Sequence, residues 1–468
     1  MIRLYDTARR EVVPLAQRDP GRVSLYLCGP TVYSAPHIGH GRQLLVYDAF
    51  CRYLRWLGLD VTFVSNITDI DDNIINRGLA EGRDPAEVAV EWEEVWWEAA
   101  DALGVARPDH TPHASGYVEA MVELVASLVG DGAAYVTPDG VYLAVETVAD
   151  YGLLAHQSLD DLREGAGERD LVGTDKRHPA DFVLWKLAKE GEPSWPSPWG
   201  PGRPGWHTEC VVMSLGLLGE GFDLHAGGLD LRFPHHENER AQAVAHGRSF
   251  ARHWMHHGFV ELEGEKMSKS LGNVRNLLDL IEAYDPRAYR LLVLRSHYRS
   301  PMEVTDDSMV DASAAVERLD AFARRTADLV GGTGEGANGS RGDGSAKADG
   351  EVLDAFRQAL DNDFDTPAGV DLLFRQVREA NTALDGGDRV RAQTAALTAL
   401  ELADVLGLEL AAGTGEVPAE IAALVAERQE ARAARDFTRA DELRDALAAA
   451  GWTVEDSADG PVVRPNRA

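Results

Sequence analysis

The chain has 468 residues, a length that suggests about three domains, and its 44% hydrophobic and 26% charged residues are the composition of a folded globular protein. The net charge of −31 weighs against a nucleic-acid partner unless basic groups gather locally, because a phosphate backbone needs positive charge opposite it. No apolar run approaches the roughly 18 residues of a membrane-spanning helix, and Cys28, Cys51 and Cys210 are too few for a disulfide framework.

The opening stretch MIRLYDTARREVVPLAQRDPGRV lacks the apolar core of a secretory signal, so a cytoplasmic location is expected. Val23–Cys28 then reads as a short strand, followed at once by Gly29 and Pro30. From His37 to Leu57 apolar residues recur at helical spacing, and Val61–Ile67 is β-branched and short. Strand, helix and strand make one βαβ unit, whose first turn is where a nucleotide commonly sits. Residues from about 85 to 131 read as helical, and Tyr135–Val145 reads as a hairpin around Pro138-Asp139-Gly140. Glu190–Trp206 carries five prolines and three tryptophans, the makings of an ordered loop. Phe222–Ala226 is a further strand, leading to a helix from about His235.

This alternation up to about residue 300 predicts an α/β fold with a parallel sheet, split by an insertion at about 110–205. The catalytic-type domain is expected over 1–305, a helical domain over 306–412 and a small carboxy-terminal domain over 418–468. The segment 331–350 holds eight glycines in twenty residues, which predicts a flexible loop inside the helical part.

Two short strings carry chemistry. His37-Ile38-Gly39-His40 stands at the start of a helix just after the first strand, where free N–H groups and the helix dipole attract phosphate. His37 and His40 can each donate to a phosphoryl oxygen, and Gly39 leaves room for close approach; a pair of helix-capping histidines is the plainer alternative. The loop 266–270, Lys266-Met267-Ser268-Lys269-Ser270, places two lysines three apart in an acidic neighbourhood, positioned to meet a departing pyrophosphate. A solvated basic loop is its plainer reading. Asp69, Asp71 and Asp72 follow the second strand and either meet a substrate amine or begin a helix, the second being favoured.

HIGH near one end and KMSKS more than two hundred residues later resemble the paired signatures of class I aminoacyl-tRNA synthetases. The strings CGPTVYSAPHIGHGR, NITDIDDNII, DFVLWK, GRPGWHTEC, DLHAGGLDLRFPHHENE and EGEKMSKSLGN, with DNDFDTP and ARDFTRADELRDAL further on, resemble the cysteinyl-tRNA synthetase family. That resemblance implies a Rossmann-type catalytic domain with an insertion, a helical bundle and a small anticodon-binding domain. It implies ATP-dependent activation of L-cysteine and transfer to tRNA(Cys). His37 and His40 would steady the charge at the α-phosphate, with Lys266 and Lys269 at the leaving pyrophosphate. Gly39 and Ser268 would join these four in binding ATP, which Mg2+ accompanies. It also implies one zinc ion per chain held by Cys28, Cys210, His235 and Glu239, with His236 as the alternative to His235. Thr68, Trp206 and His225 match positions lining the amino-acid pocket, and a monomer is the family expectation. Ala226, Thr208 and Ser34 depart from the usual pattern without removing a ligand or phosphate contact.

Arg428, Arg432, Arg435 and Arg439 are spaced so that one helix would carry them as a stripe toward tRNA, with Trp452 as a stacking surface. Seven arginines against ten acids in 418–468 leave ion-paired solvation as the alternative. Two other functions stay open on the sequence. One is a ligase of the mycothiol pathway passing activated cysteine to an amino-sugar, for which the tail would be superfluous. The other is a non-catalytic zinc- and RNA-binding relative, against which the intact motifs argue.

Overall fold

The computed structural model describes residues 1–159, 161, 176–262, 265–266, 275–330, 347–411, 419–434, 436–450, 452–457 and 460–465. Its centre is a four-stranded, all-parallel sheet in the order His253–His257, Leu224–Gly228, Arg22–Leu27, Asp60–Ser65. From Arg22–Leu27 the chain crosses outward through the helix Ile38–Trp56 to Asp60–Ser65, whereas Leu224–Gly228 leads the other way to His253–His257. Connections therefore diverge between Leu27 and Gly228, and a crevice at that reversal is where parallel sheets bind ligands. The strands are buried on both faces, so their burial does not alternate, although His253–His257 carries three histidines in five residues.

The helix Ile38–Trp56 fills the space behind the sheet with Leu45, Phe50, Tyr53 and Leu54. Arg42 is buried among them because carbonyl oxygens of Phe259 (2.7 Å), Tyr298 (3.0 Å) and Ser300 (2.6 Å) accept from its guanidinium. A second sheet, antiparallel, follows the order Ala134–Thr137, Gly140–Leu143, Phe182–Leu187, Gly202–Pro204, and packs with the helix Val118–Gly130. It lies within the stretch expected as an insertion. Beyond it come the helices Asp306–Val330, Gly350–Asp361, Thr366–Asp385 and Arg389–Val405.

Several expectations need correcting. The helix expected over 85–131 is two helices, Pro85–Ala102 and Val118–Gly130, because the intervening segment carries Pro108 and Pro112 and runs alongside the sheet, with Ser65 and Ile67 donating to the carbonyls of His110 and Pro112. The tail is not wholly helical, since Trp452–Ser457 and Gly460–Pro465 form an antiparallel hairpin. The arginine stripe does not form on one helix. Asp436 accepts from the Arg439 amide and starts a new helix, Phe437–Ala449, separate from Ala419–Ala433. Arg428 is buried, Arg439 is paired with Glu427 (3.3 Å) and Glu442 (3.1 Å), and Trp452 packs partly buried against Ile421 and Val425. Arg432 is half-buried, while Arg435 lies outside the described residues, as does most of the glycine-rich loop, 331–346.

Candidate metal and nucleotide site

Cys28 follows immediately after the strand Arg22–Leu27, at the carboxyl end of the sheet. Its placement depends on Gly29: a Cβ there would lie 1.7 Å from the Asn66 carbonyl oxygen, so only glycine fits. The Gly29 amide donates to the Asn66 side chain (2.9 Å), and the Gln43 amide donates to the Cys28 carbonyl (2.9 Å). Cys210 comes from the buried helix Trp206–Leu218. His235 lies in the single turn Arg232–His236, just before the helix Glu237–Ala245, whose first turn supplies Glu239. The expectation that His235 begins the helix is thus off by two residues, yet the two side chains still meet.

These four residues, far apart in sequence, converge. The Cys28 and Cys210 sulfurs are 3.6 Å apart, Cys28 Sγ lies 3.4 Å from Glu239 Oε1, and Cys210 Sγ lies 3.7 Å from His235 Nε2. His235 Nε2 is 3.0 Å from Glu239 Oε1. All four donors are buried and lie within 4.8 Å of one another. Two sulfurs, an imidazole and a carboxylate are donor types that zinc takes, so the residues present fit that ion. A second grouping of Cys28, His225, His236 and Glu239 meets the same distance condition.

Supporting hydrogen bonds hold each of the two histidines through its Nδ1. The His207 and His235 Nδ1 atoms share a hydrogen bond of 2.9 Å, which leaves His235 Nε2 aimed at Cys210 and Glu239. His236 Nδ1 instead pairs with His256 Nε2 (2.9 Å). His225 holds the other Glu239 oxygen, Nε2 to Oε2, at 2.7 Å. Burial pushes the Cys28 and Cys210 thiols above their ordinary range and His235 well below its own. Desolvation also lowers His207, to about 3.

The expected amino-acid positions border the cluster. Trp206 stacks on His235, ring centres 4.0 Å apart, and keeps 38% of its surface exposed. Thr68 donates to Glu209 (2.8 Å), whose carboxyl burial raises well above its usual range. His207, Glu209 and Asn66 went unassigned in the sequence reading although they lie inside the strings GRPGWHTEC and NITDIDDNII. A histidine three residues from a cysteine was the available signal. Asp71 caps the helix Asp72–Glu81, Asp72 pairs with Lys186 and Arg203, and Asp69 accepts from Ser115, so the acidic cluster takes the helix-starting alternative.

The HIGH turn is a reciprocal cap. His37 Nδ1 accepts from the His40 amide (3.3 Å), and His40 Nδ1 accepts from the His37 amide (3.1 Å), with the rings stacked 3.7 Å apart. Both Nδ1 atoms being acceptors, the proton of each neutral ring sits on Nε2. A cavity of about 380 Å³ is lined by Cys28, Trp206, His37, Gly39 and His40, so the cluster meets the space beside the HIGH turn through Cys28. The backbone following the KMSKS loop is tied to this turn: Ile38 donates to Arg275 (3.1 Å) and Leu277 to Pro36 (2.9 Å). Lys266 is the second residue of a short strand paired with Val260–Leu262, and Val260 lines the same cavity. Ser268 and Lys269 lie outside the described residues.

Comparison with known proteins agrees across the chain. The model of the class I (C) tRNA synthetase catalytic domain matches residues 14–314, a DALR domain matches 355–411, and the cysteinyl-tRNA ligase anticodon binding domain matches 414–464. A cysteine–tRNA ligase of Halorhodospira halophila is 42% identical over 478 residues, covering 100% of both chains. That of Desulforudis audaxviator is 44% identical over 474 residues, covering 97% of each. Among solved structures, a methionyl-tRNA synthetase of Mycobacterium tuberculosis in complex with methionyl-adenylate superposes with a TM-score of 0.60 at 19% identity, over 82% of this chain and 90% of that one. At that identity the likeness speaks for the fold alone.

Proposed function

Since the chain belongs to the cysteine–tRNA ligase family of class I aminoacyl-tRNA synthetases, we propose how its residues divide the work of joining cysteine to tRNA at the expense of ATP. Cys28, Cys210, His235 and Glu239 are assigned as the ligands of one zinc ion. This set is preferred to the one with His236 because it contains both sulfurs. A bound zinc would take the substrate sulfur as thiolate, a distinction from serine that an apolar pocket, worth only ~1–3 kcal/mol for such pairs, cannot supply. Trp206, Thr68 and His225 are assigned to the wall of the cysteine pocket, His225 acting through the Glu239 carboxylate it holds.

In activation, the cysteine carboxylate attacks the α-phosphorus in line: a carboxylate–phosphorus bond forms and the bond to pyrophosphate breaks. The Nε2–H groups of His37 and His40 are assigned to the α-phosphate oxygens, and Gly39 admits the nucleotide. Lys266, Ser268 and Lys269 are assigned to the outer phosphates, with Mg2+ accompanying ATP. No nucleophile of the chain takes part, so position and charge do the catalysis. The terminal adenosine of tRNA(Cys) then attacks the acyl carbon and AMP leaves. Among the described residues no helix is long and apolar enough to cross a membrane, and the location proposed is cytoplasmic, the chain acting as a monomer.

The observation carrying this reading is the convergence of the four donors, one of which, Cys28, lines the cavity that the HIGH turn also lines. Purified enzyme given labelled cysteine, ATP, tRNA and a glucosaminyl-inositol acceptor should label tRNA, and should exchange pyrophosphate into ATP only with cysteine present. Label found on the sugar alone would end the reading.

A further inference from the structure

The loop after the strand Leu224–Gly228 has two sides. Asp230 and Leu231 line the cavity already described, whereas Leu229 and Arg232 line another, of about 390 Å³. The edge strand His253–His257 divides the same way, because neighbouring strand residues point to opposite faces: His257 meets the first cavity and His256 the second. The far wall of the second cavity comes from the amino-terminal strands through Tyr5, Thr7 and Arg10, with Arg299 closing it.

Three guanidinium groups on one cavity stand out in a chain of net charge −31. Arg299 is held by Asp363 and lies over the Tyr5 ring, 4.5 Å from its centre, so its charge is partly compensated. Arg10 and Arg232 have no carboxylate partner among the described residues, and the Arg232 Nε is buried without a hydrogen-bond acceptor. Thr7 and His256 are satisfied by each other at 2.7 Å, and His256 by His236 at 2.9 Å, so neither neutralises the arginines. Leaving a buried guanidinium nitrogen unpaired is costly, and an anion in the cavity removes that cost.

We propose that this second cavity is a phosphate-binding site, with Arg10 and Arg232 as its principal donors. Two uncompensated guanidiniums match a phosphate better than a single carboxylate, and their planar forks suit its oxygens. The phosphate belongs either to the backbone of bound tRNA, which rests on the function proposed above, or to a small free phosphate.

The test uses the full chain and its Arg232→Met and Arg10→Met variants, which keep side-chain bulk while removing the charge. Inorganic phosphate is titrated calorimetrically, and tRNA affinity is measured across a range of salt. The variants should bind inorganic phosphate at least tenfold more weakly, while cysteine-dependent pyrophosphate exchange without tRNA stays at its wild-type level. If the occupant is tRNA, the slope of log affinity against log salt also falls by about 0.7–0.9 for each arginine removed. Weakened phosphate binding with an unchanged slope assigns the site to a free phosphate. Phosphate affinity and salt slope both unaltered in the two variants would overturn the proposal. Absence of exchange in the wild-type protein would instead sink the functional reading and leave the phosphate titration standing.

Discussion

Two histidines cap one helix end, and the chemical role proposed for them uses different atoms of the same rings. In His37 and His40 the Nδ1 atoms close the helix and the Nε2–H groups are assigned to phosphate. Substituting His37→Ala should therefore cost about 1 kcal/mol of stability through the lost cap and lower pyrophosphate exchange on the order of 10²–10³-fold. His37→Asn, which caps well, should recover the thermal midpoint but not the rate; recovery of both would show that the ring only caps. Cys51, away from the site, makes a separate prediction. Burial pushes its thiol up to about 12, whereas an unfolded thiol ionises near 8.5. Its contribution is thus whole below about pH 8.5 and is lost as pH rises toward the folded value. Urea unfolding at pH 7 and pH 10 should show wild type losing about 2 kcal/mol more than Cys51→Ala over that interval. Equal losses would place Cys51 in contact with solvent. At this scale the sequence was read through its motifs: HIGH and the four ligand candidates lie in strings that resemble a family. His207 and Asn66 sit in the same strings but act on other residues' atoms, and second-rank contacts of that kind have no spacing to betray them.

Elements meet in ways that one buried ion pair makes measurable. Arg290, on the helix Pro286–Arg295, reaches Asp48 on the helix Ile38–Trp56 at 2.6 Å and donates to the carbonyls of Leu103 and Gly104, both at 3.1 Å. It also requires Gly407, where a Cβ would lie 2.3 Å from its guanidinium. Four segments are thereby pinned to one side chain. Arg290→Met should destabilise the protein by about 3 kcal/mol in urea unfolding, since Asp48 stays buried with only Arg52 and the Ala106 amide as partners. A change below about 0.5 kcal/mol would show that the pair's desolvation cancels its attraction. The periodicity that identified the helix Ile38–Trp56 is the apolar face against the sheet, a local pattern. The break after Ala102 was signalled by Pro108 and Pro112 and passed over between two helix-forming stretches, whereas the turn at Asp436 escaped because its flanks are each helix-forming and the cap alone marks the stop. The terminal hairpin escaped for a related reason: its strands are short and mixed in polarity, and they are specified by their pairing.

Across the whole molecule, residues far apart in sequence are brought to one cluster. The strand ending at Cys28, the helix bearing Cys210 and the turn holding His235 come from three regions of sequence, brought together by the order of a parallel sheet. Alternation of strands and helices made that class of sheet readable. Strand order was not readable, because it depends on which strands pair across long stretches of sequence. Net acidity, read as weighing against a nucleic-acid partner, leaves three arginines gathered on the second cavity, whereas Arg439 of the tail is taken up in ion pairs. The central claim is that the two thiols, His235 and Glu239 select cysteine through a metal. Its most direct test is the ratio of cysteine- to serine-dependent pyrophosphate exchange, measured with metal content, in wild type and in Cys210→Ala. The account predicts about one zinc per wild-type chain with negligible serine activity, and in the variant loss of the metal together with most of the discrimination. A metal-free variant that exchanges at the wild-type rate and still refuses serine would contradict it.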